Sequence, residues 1–143
     1  MRVLIRLLVV VGLAIDVYVH VHLAKDFHYN NDGLVTGEQL FWLEAAAAAI
    51  AALLVLVRPG RASYLVAFVV AAAGVAAVVF YRYVDPGAIL GIMPGMYEPI
   101  WTTEKVISLI GEAVAAVAAL LGWLVGSPSA PARVPEPAGR QAG

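Results

Sequence analysis

A chain of 143 residues that is 62% hydrophobic, 13% charged and of formal net charge −1 lies outside the usual soluble range, and its mean hydropathy is +0.87. Its Ala-, Val- and Leu-rich runs are too long to be buried in so small a globule. The lack of cysteine excludes disulfides, thiol catalysis and thiolate metal sites, and the near-neutral charge argues against a nucleic-acid partner.

Four segments, near 3–23, 38–57, 62–84 and 103–125, reach the roughly 20 apolar residues needed to cross a bilayer. The predicted fold is an all-α membrane protein, an antiparallel bundle of four transmembrane helices over 1–126 with the lipid bilayer as its partner. In the first segment Arg2 and Arg6 precede an apolar run, as in a signal peptide. However, Asp16 interrupts the run, and His22 stands two before Ala24 where a cleavage site needs a small residue. The segment is read as retained.

An outer loop follows at 24–37. "HYNNDGLVTGEQ" (28–39) resembles a calcium loop at Asn30, Asp32, Gly33 and Val35, but His28 holds position one and Gln39 the position of the bidentate Glu. Thr36-x-x-Gln39 reads instead as a capping box for helix two. "RPGR" (58–61) predicts a tight turn between helices two and three. The second outer loop, 85–102, holds six Gly or Pro residues between Asp85 and Pro99 and cannot be a regular helix. Its apolar residues Ile89, Leu90, Ile92, Met93, Met96 and Tyr97 predict a lid folded back over the bundle. Thr103 is a candidate cap for helix four. The Pro-rich segment 127–143 lacks a core and is expected to be disordered.

Orientation follows from the basic residues. Arg2, Arg6, Arg58, Arg61, Arg133 and Arg140 would share one side, with Lys25, Arg82 and Lys105 on the other. This places both termini in the cytoplasm by the positive-inside rule, in a multi-pass protein of the plasma membrane. Phe41, Trp42, Tyr81, Tyr83 and Trp101 would form an outer aromatic belt, with Tyr64 and Trp123 towards the inner face.

Polar residues inside the spans carry the functional signal. At 1.5 Å per residue, Asp16 lies about 10 Å below the outer surface, His20 about 4 Å, Glu44 about 9 Å and Glu112 about 14 Å. Gly12, Asp16 and His20 share one face of helix one. Ala67, Ala71, Gly74, Val78 and Tyr81 form a stripe on helix three, and Ser108, Gly111, Ala115 and Gly122 form one on helix four that Glu112 flanks. Helix two stacks Glu44, Ala47, Ala48 and Ala51. Small residues at such spacings are packing seams between membrane helices, so the carboxylates should face the bundle interior.

A lone carboxylate in hydrocarbon costs a few kcal/mol and needs a partner, a proton or water. Three acids compete here for Arg82, with His20 as a second cation if protonated. The surplus negative charge points to a retained proton, a water-filled outward cavity or a bound cation. Asp16, His20, Glu44, Tyr81, Arg82 and Glu112 are therefore the candidate ligand-binding residues. Asp16 and His20 at i, i+4, completed by Glu44 or Glu112, form a candidate divalent-cation set. Haem ligation by two histidines is disfavoured because His20, His22 and His28 lie close together in sequence. His20 and His22 have the wrong spacing for a shared metal, and His22 belongs with Tyr18 and Lys25 at the interface. No phosphate loop, nucleophile elbow or dinucleotide fingerprint is present, so an enzyme is the least supported class.

The four-helix layout, with strings such as "VHVHLA", "YRYVD" and "MYEPIW", resembles small DoxX-like membrane proteins over about 1–125. The resemblance implies architecture and carries no residue roles. Two functions remain open. One is an outward-facing intramembrane site for a cation, proton or small polar ligand. The other is a non-catalytic accessory subunit whose polar residues lock helices and whose outer loops dock a partner. Transport by so small a bundle would require a homo-oligomer or a larger membrane complex.

Overall fold

The computed structural model describes residues 1–126; the expected disordered segment 127–143 lies outside the described residues. The helices are α1 (Arg2–Leu23), α2 (Gly37–Val57), α3 (Arg61–Tyr83) and α4 (Thr103–Val125), with a 3₁₀ turn at Ala24–Phe27. Their ends differ by at most one residue from those read off the sequence, and all four are long and apolar enough to cross a membrane. Among the described residues there is no strand, only an isolated bridge between Ile89 and Met93.

Local chemistry places the helix ends. Thr36 accepts from the Gln39 amide and the Gln39 side chain accepts from the Thr36 amide, closing both halves of a capping box. Pro59 stops α2, and Gly60 caps α3. On α4 the cap is Thr102, whose hydroxyl accepts from the Lys105 amide at 3.2 Å, one residue before the expected Thr103. Three residues from cap to amide is the reach a side-chain oxygen requires, and Thr102 to Lys105 supplies it.

α4 packs against α1 and α3, and α2 completes the bundle against the same two helices. The interior is built from small side chains: Ala48, Ala51, Ala67, Ala71, Ala115 and Ala119 have no exposure. Larger apolar side chains such as Leu7, Leu43, Leu53, Val69, Val117 and Leu124 face outward. Large apolar groups outside and small ones between helices suit lipid as the solvent, because backbones can then approach closely. The tightest approach is between α1 and α4. A Cβ on Gly12 would stand 2.5 Å from the Gly111 carbonyl oxygen, so these helices cross in backbone contact one turn below Asp16.

The two long loops are laced together. Leu34 and Val35 donate to the carbonyls of Gly91 and Ile92 at 2.9 and 3.0 Å. Gly95 donates to Asp32 Oδ1 at 2.8 Å, and Asn30 Nδ2 donates to the Gly95 carbonyl at 2.7 Å. Leu90 and Gly91 adopt φ of 53° and 67°, which turns the second loop back on itself. Asn30 and Asp32 thus hold the neighbouring loop, Gln39 caps α2, and His28 sits 3.0 Å from Glu38. These engagements give the physical reason why the calcium-loop likeness does not assemble.

The aromatic belt is only partly as expected. Trp42, Tyr83 and Trp101 are exposed, but Phe41 and Tyr81 are half-buried and line an internal cavity. Tyr64 is buried, with its ring against Gly122.

Candidate functional site

The Gly12 crossing sets Asp16 on α1 beside the first half of α4. His20, one turn further on the same face, places Nδ1 2.6 Å from Asp16 Oδ1 and 3.0 Å from the Asp16 carbonyl oxygen. From α4, the Ser108 hydroxyl donates to Glu112 Oε1 at 2.9 Å and lies 3.5 Å from Asp16 Oδ1. α3 completes the enclosure at Gly74, where an added Cβ would stand 2.8 Å from the Glu112 carboxyl carbon. Three helices therefore wrap one polar group, and each provides a small or hydroxyl residue at the point of contact.

Asp16 and Glu112 have no solvent exposure. One ligand atom each from Asp16, His20 and Glu112 lies within 4.8 Å of the other two. Among the described residues, Asp16 Oδ2 and Glu112 Oε2 are buried without a hydrogen-bond partner. A buried carboxylate oxygen left unpaired is expensive, and two carboxylates within 4.8 Å of one imidazole form an electron-rich group. Two carboxylates with a neutral imidazole balance a divalent ion. They also supply a mixed oxygen–nitrogen donor set of the kind used by first-row divalent cations.

The remaining candidates fall elsewhere. Glu44 is not within the three-residue group. It lines a cavity of about 380 Å³ together with His20, Phe41, Tyr81, Met96 and Lys105. Glu44 Oε1 and the Tyr81 hydroxyl are buried there without partners. His20 belongs to both features, so the cavity abuts the carboxylate group. Met93 and Met96 of the second loop form part of the cavity wall, whereas Leu90, Ile92 and Tyr97 are exposed, so only part of the expected lid covers the bundle.

Arg82 does not serve as the counter-ion. Its guanidinium lies 5.1 Å from the Tyr83 ring centroid and 5.6 Å from that of Trp101, and among the described residues it makes no ion pair with Asp16, Glu44 or Glu112. A long cation on the last turn of α3 is held by aromatic faces at the rim, at far lower desolvation cost than entering the bundle. His22 stacks on Tyr18 with centroids 5.8 Å apart, away from the site.

Ser108, Gly74 and Lys105 were not among the sequence candidates for the site. Ser108 and Gly74 stand on the small-residue stripes, and the i, i+4 spacing from Ser108 to Glu112 is the signal that could have singled out the serine. Lys105 was read only as a topological charge. Its ammonium donates to the carbonyls of Glu98 and Ile100 at 2.7 and 2.9 Å, tying the start of α4 to the second loop at the cavity edge.

Four helices fit to cross a membrane around a buried polar group define the class: a small helical protein of multi-pass membrane character. No protein-family model matches the chain, and neither a curated protein nor a solved structure does, so its activity must be read from this geometry.

Proposed function

We propose that the chain is an antiparallel bundle in the cytoplasmic membrane, both termini in the cytoplasm, that holds a divalent cation on Asp16, His20 and Glu112. The observation that carries this reading is the buried convergence of the three ligand groups, with one oxygen of each carboxylate left unpartnered. A cation site needs lone pairs not taken up by hydrogen bonds, and one oxygen on each carboxylate supplies them. The cavity beside His20 supplies the outward path, and Glu44 on its wall attracts cations towards the ligands. Any flux across the membrane would call for a homo-oligomer, since a single bundle of four helices leaves little room for a gated path.

A second reading has its own observation. Ser108 reaches the carboxylates of both α1 and α4, and Leu90, Ile92, Tyr97 and Ile100 are exposed on the laced loops. These features suit an accessory subunit that locks its helices and docks a partner in a membrane complex.

Thermal unfolding of the detergent-purified full chain separates the two. Mn²⁺, Zn²⁺ or Mg²⁺ at about 100-fold over Kd should stabilise the wild type by about 2.7 kcal/mol, and Asp16→Asn/Glu112→Gln should abolish the effect. If no cation acts and the double variant is as stable as the wild type or more so, the cation reading fails and the accessory reading stands.

A further inference from the structure

We infer that the other end of the bundle carries a site for a phosphate group, of the kind an acidic lipid headgroup presents. A cleft of about 240 Å³ lies where the start of α1, the α2–α3 turn and the end of α4 meet, walled by Arg2, Arg6, Pro59, Tyr64, Gly122 and Gly126. Arg2 and Arg6 stand at i, i+4 on one face of α1, so both guanidinium groups address the same space. Among the described residues no acid lines the cleft.

Arg6 is half-buried. Its Nη2 donates to the Leu56 carbonyl near the end of α2, while among the described residues its Nε–H is buried without a partner. A guanidinium has five N–H donors in a fixed fork. Anchoring one of them to a helix-end carbonyl leaves others available for a second acceptor. Phosphate oxygens match that fork in a bidentate fashion, and Arg is the residue best suited to the pairing. Arg2, exposed at the mouth, supplies the second positive charge.

Position narrows the source of the phosphate. The cleft lies at the ends of the apolar spans, where a bilayer places its headgroups, and basic pockets between helices at that depth suit anionic lipids. Arg58 and Arg61 flank the same turn in sequence but are not part of the cleft wall. The Nε–H, unpartnered among the described residues and buried at a wall where they place no carboxylate, asks for an acceptor that such a headgroup would bring.

The test uses the full chain in a neutral maltoside detergent. Its Tm is measured with added phosphatidylglycerol or phosphatidylcholine, and separately with sodium phosphate or sodium chloride at matched ionic strength. Phosphatidylglycerol is expected to raise Tm and phosphatidylcholine not to do so. Arg2→Gln and Arg6→Gln should each lose more than half of that shift, Arg6→Lys should keep part of it, and Arg58→Gln should leave it intact. Because Arg2 is exposed, Arg2→Gln still carries the test if Arg6→Gln fails to fold. An Arg6-dependent shift with inorganic phosphate would assign the site to the phosphate group itself, and a shift with lipid alone would assign it to the headgroup. No shift with either, an equal shift with phosphatidylcholine, or an equal loss in Arg58→Gln would overturn the proposal.

Discussion

Gly74→Ala separates binding from folding at the buried carboxylates. The new Cβ would stand 2.8 Å from Glu112 Cδ, 2.9 Å from Oε2 and 3.0 Å from Oε1, and ordinary contact begins at 3.4 Å. The carboxyl group must therefore move by about 0.6 Å in a close-packed interior. Ligand positions in a metal site tolerate roughly 0.2 Å, so a displacement of this size should lower cation affinity about 10- to 100-fold, the range seen when a supporting contact is lost. Folding should change far less. Ala in a helix gains about 1 kcal/mol over Gly, which offsets much of the roughly 2 kcal/mol for a weakened bond from Ser108 to a charged acceptor. Isothermal titration of Mn²⁺ into detergent-solubilised wild type and variant reads the affinity, and thermal unfolding without cation reads the fold. Equal affinity in the two proteins would refute the assignment of Glu112 as a ligand.

Other outcomes follow from the same contacts. Gly12→Ala drives a methyl group into the Gly111 carbonyl and should destabilise the bundle by about 1–3 kcal/mol, the usual cost of overpacking, as a lower Tm would show. Thr36→Ala removes half of the capping box and should cost about 1 kcal/mol, with hydrogen exchange rising first at the start of α2. Arg82→Gln should leave cation affinity unchanged and lose only about 0.5–1 kcal/mol of rim stacking; a tenfold change in affinity would return Arg82 to the site. Cation-dependent stabilisation should shrink in acid, because a metal's ligands must be deprotonated to bind it, and melts at fixed Mn²⁺ would follow the loss.

The helices were legible in the sequence because each signal was strong and local: a long apolar run, a Pro–Gly turn and a capping box. The small-residue faces were legible for the same reason. Ala67, Ala71 and Gly74 repeat at helical spacing on α3, and the structure buries all three. The shared face of Asp16 and His20 also followed from helical period alone.

What escaped was the direction taken by long side chains and by loops. Helical spacing cannot say whether Arg82 turns towards acids or towards Tyr83 and Trp101, because both lie within its reach. Nor can it say that Lys105 folds back to the carbonyls of Glu98 and Ile100. The contacts of Asn30 and Asp32 with Gly95 join residues more than sixty positions apart, and no local pattern encodes them. Glu44 was grouped with Asp16 and Glu112 by depth, yet azimuth around the bundle sets it on the cavity wall instead.

The account turns on whether His20 ligates the ion alongside the two carboxylates. Electron spin-echo spectroscopy of Mn²⁺ bound to the full chain measures this directly, with His28→Ala in the background to remove the exposed His28–Glu38 pair. The account predicts modulation from one directly coordinated nitrogen, lost in His20→Gln. A nitrogen signal that persists in His20→Gln, or a spectrum of fully hydrated Mn²⁺ in the wild type, would contradict it.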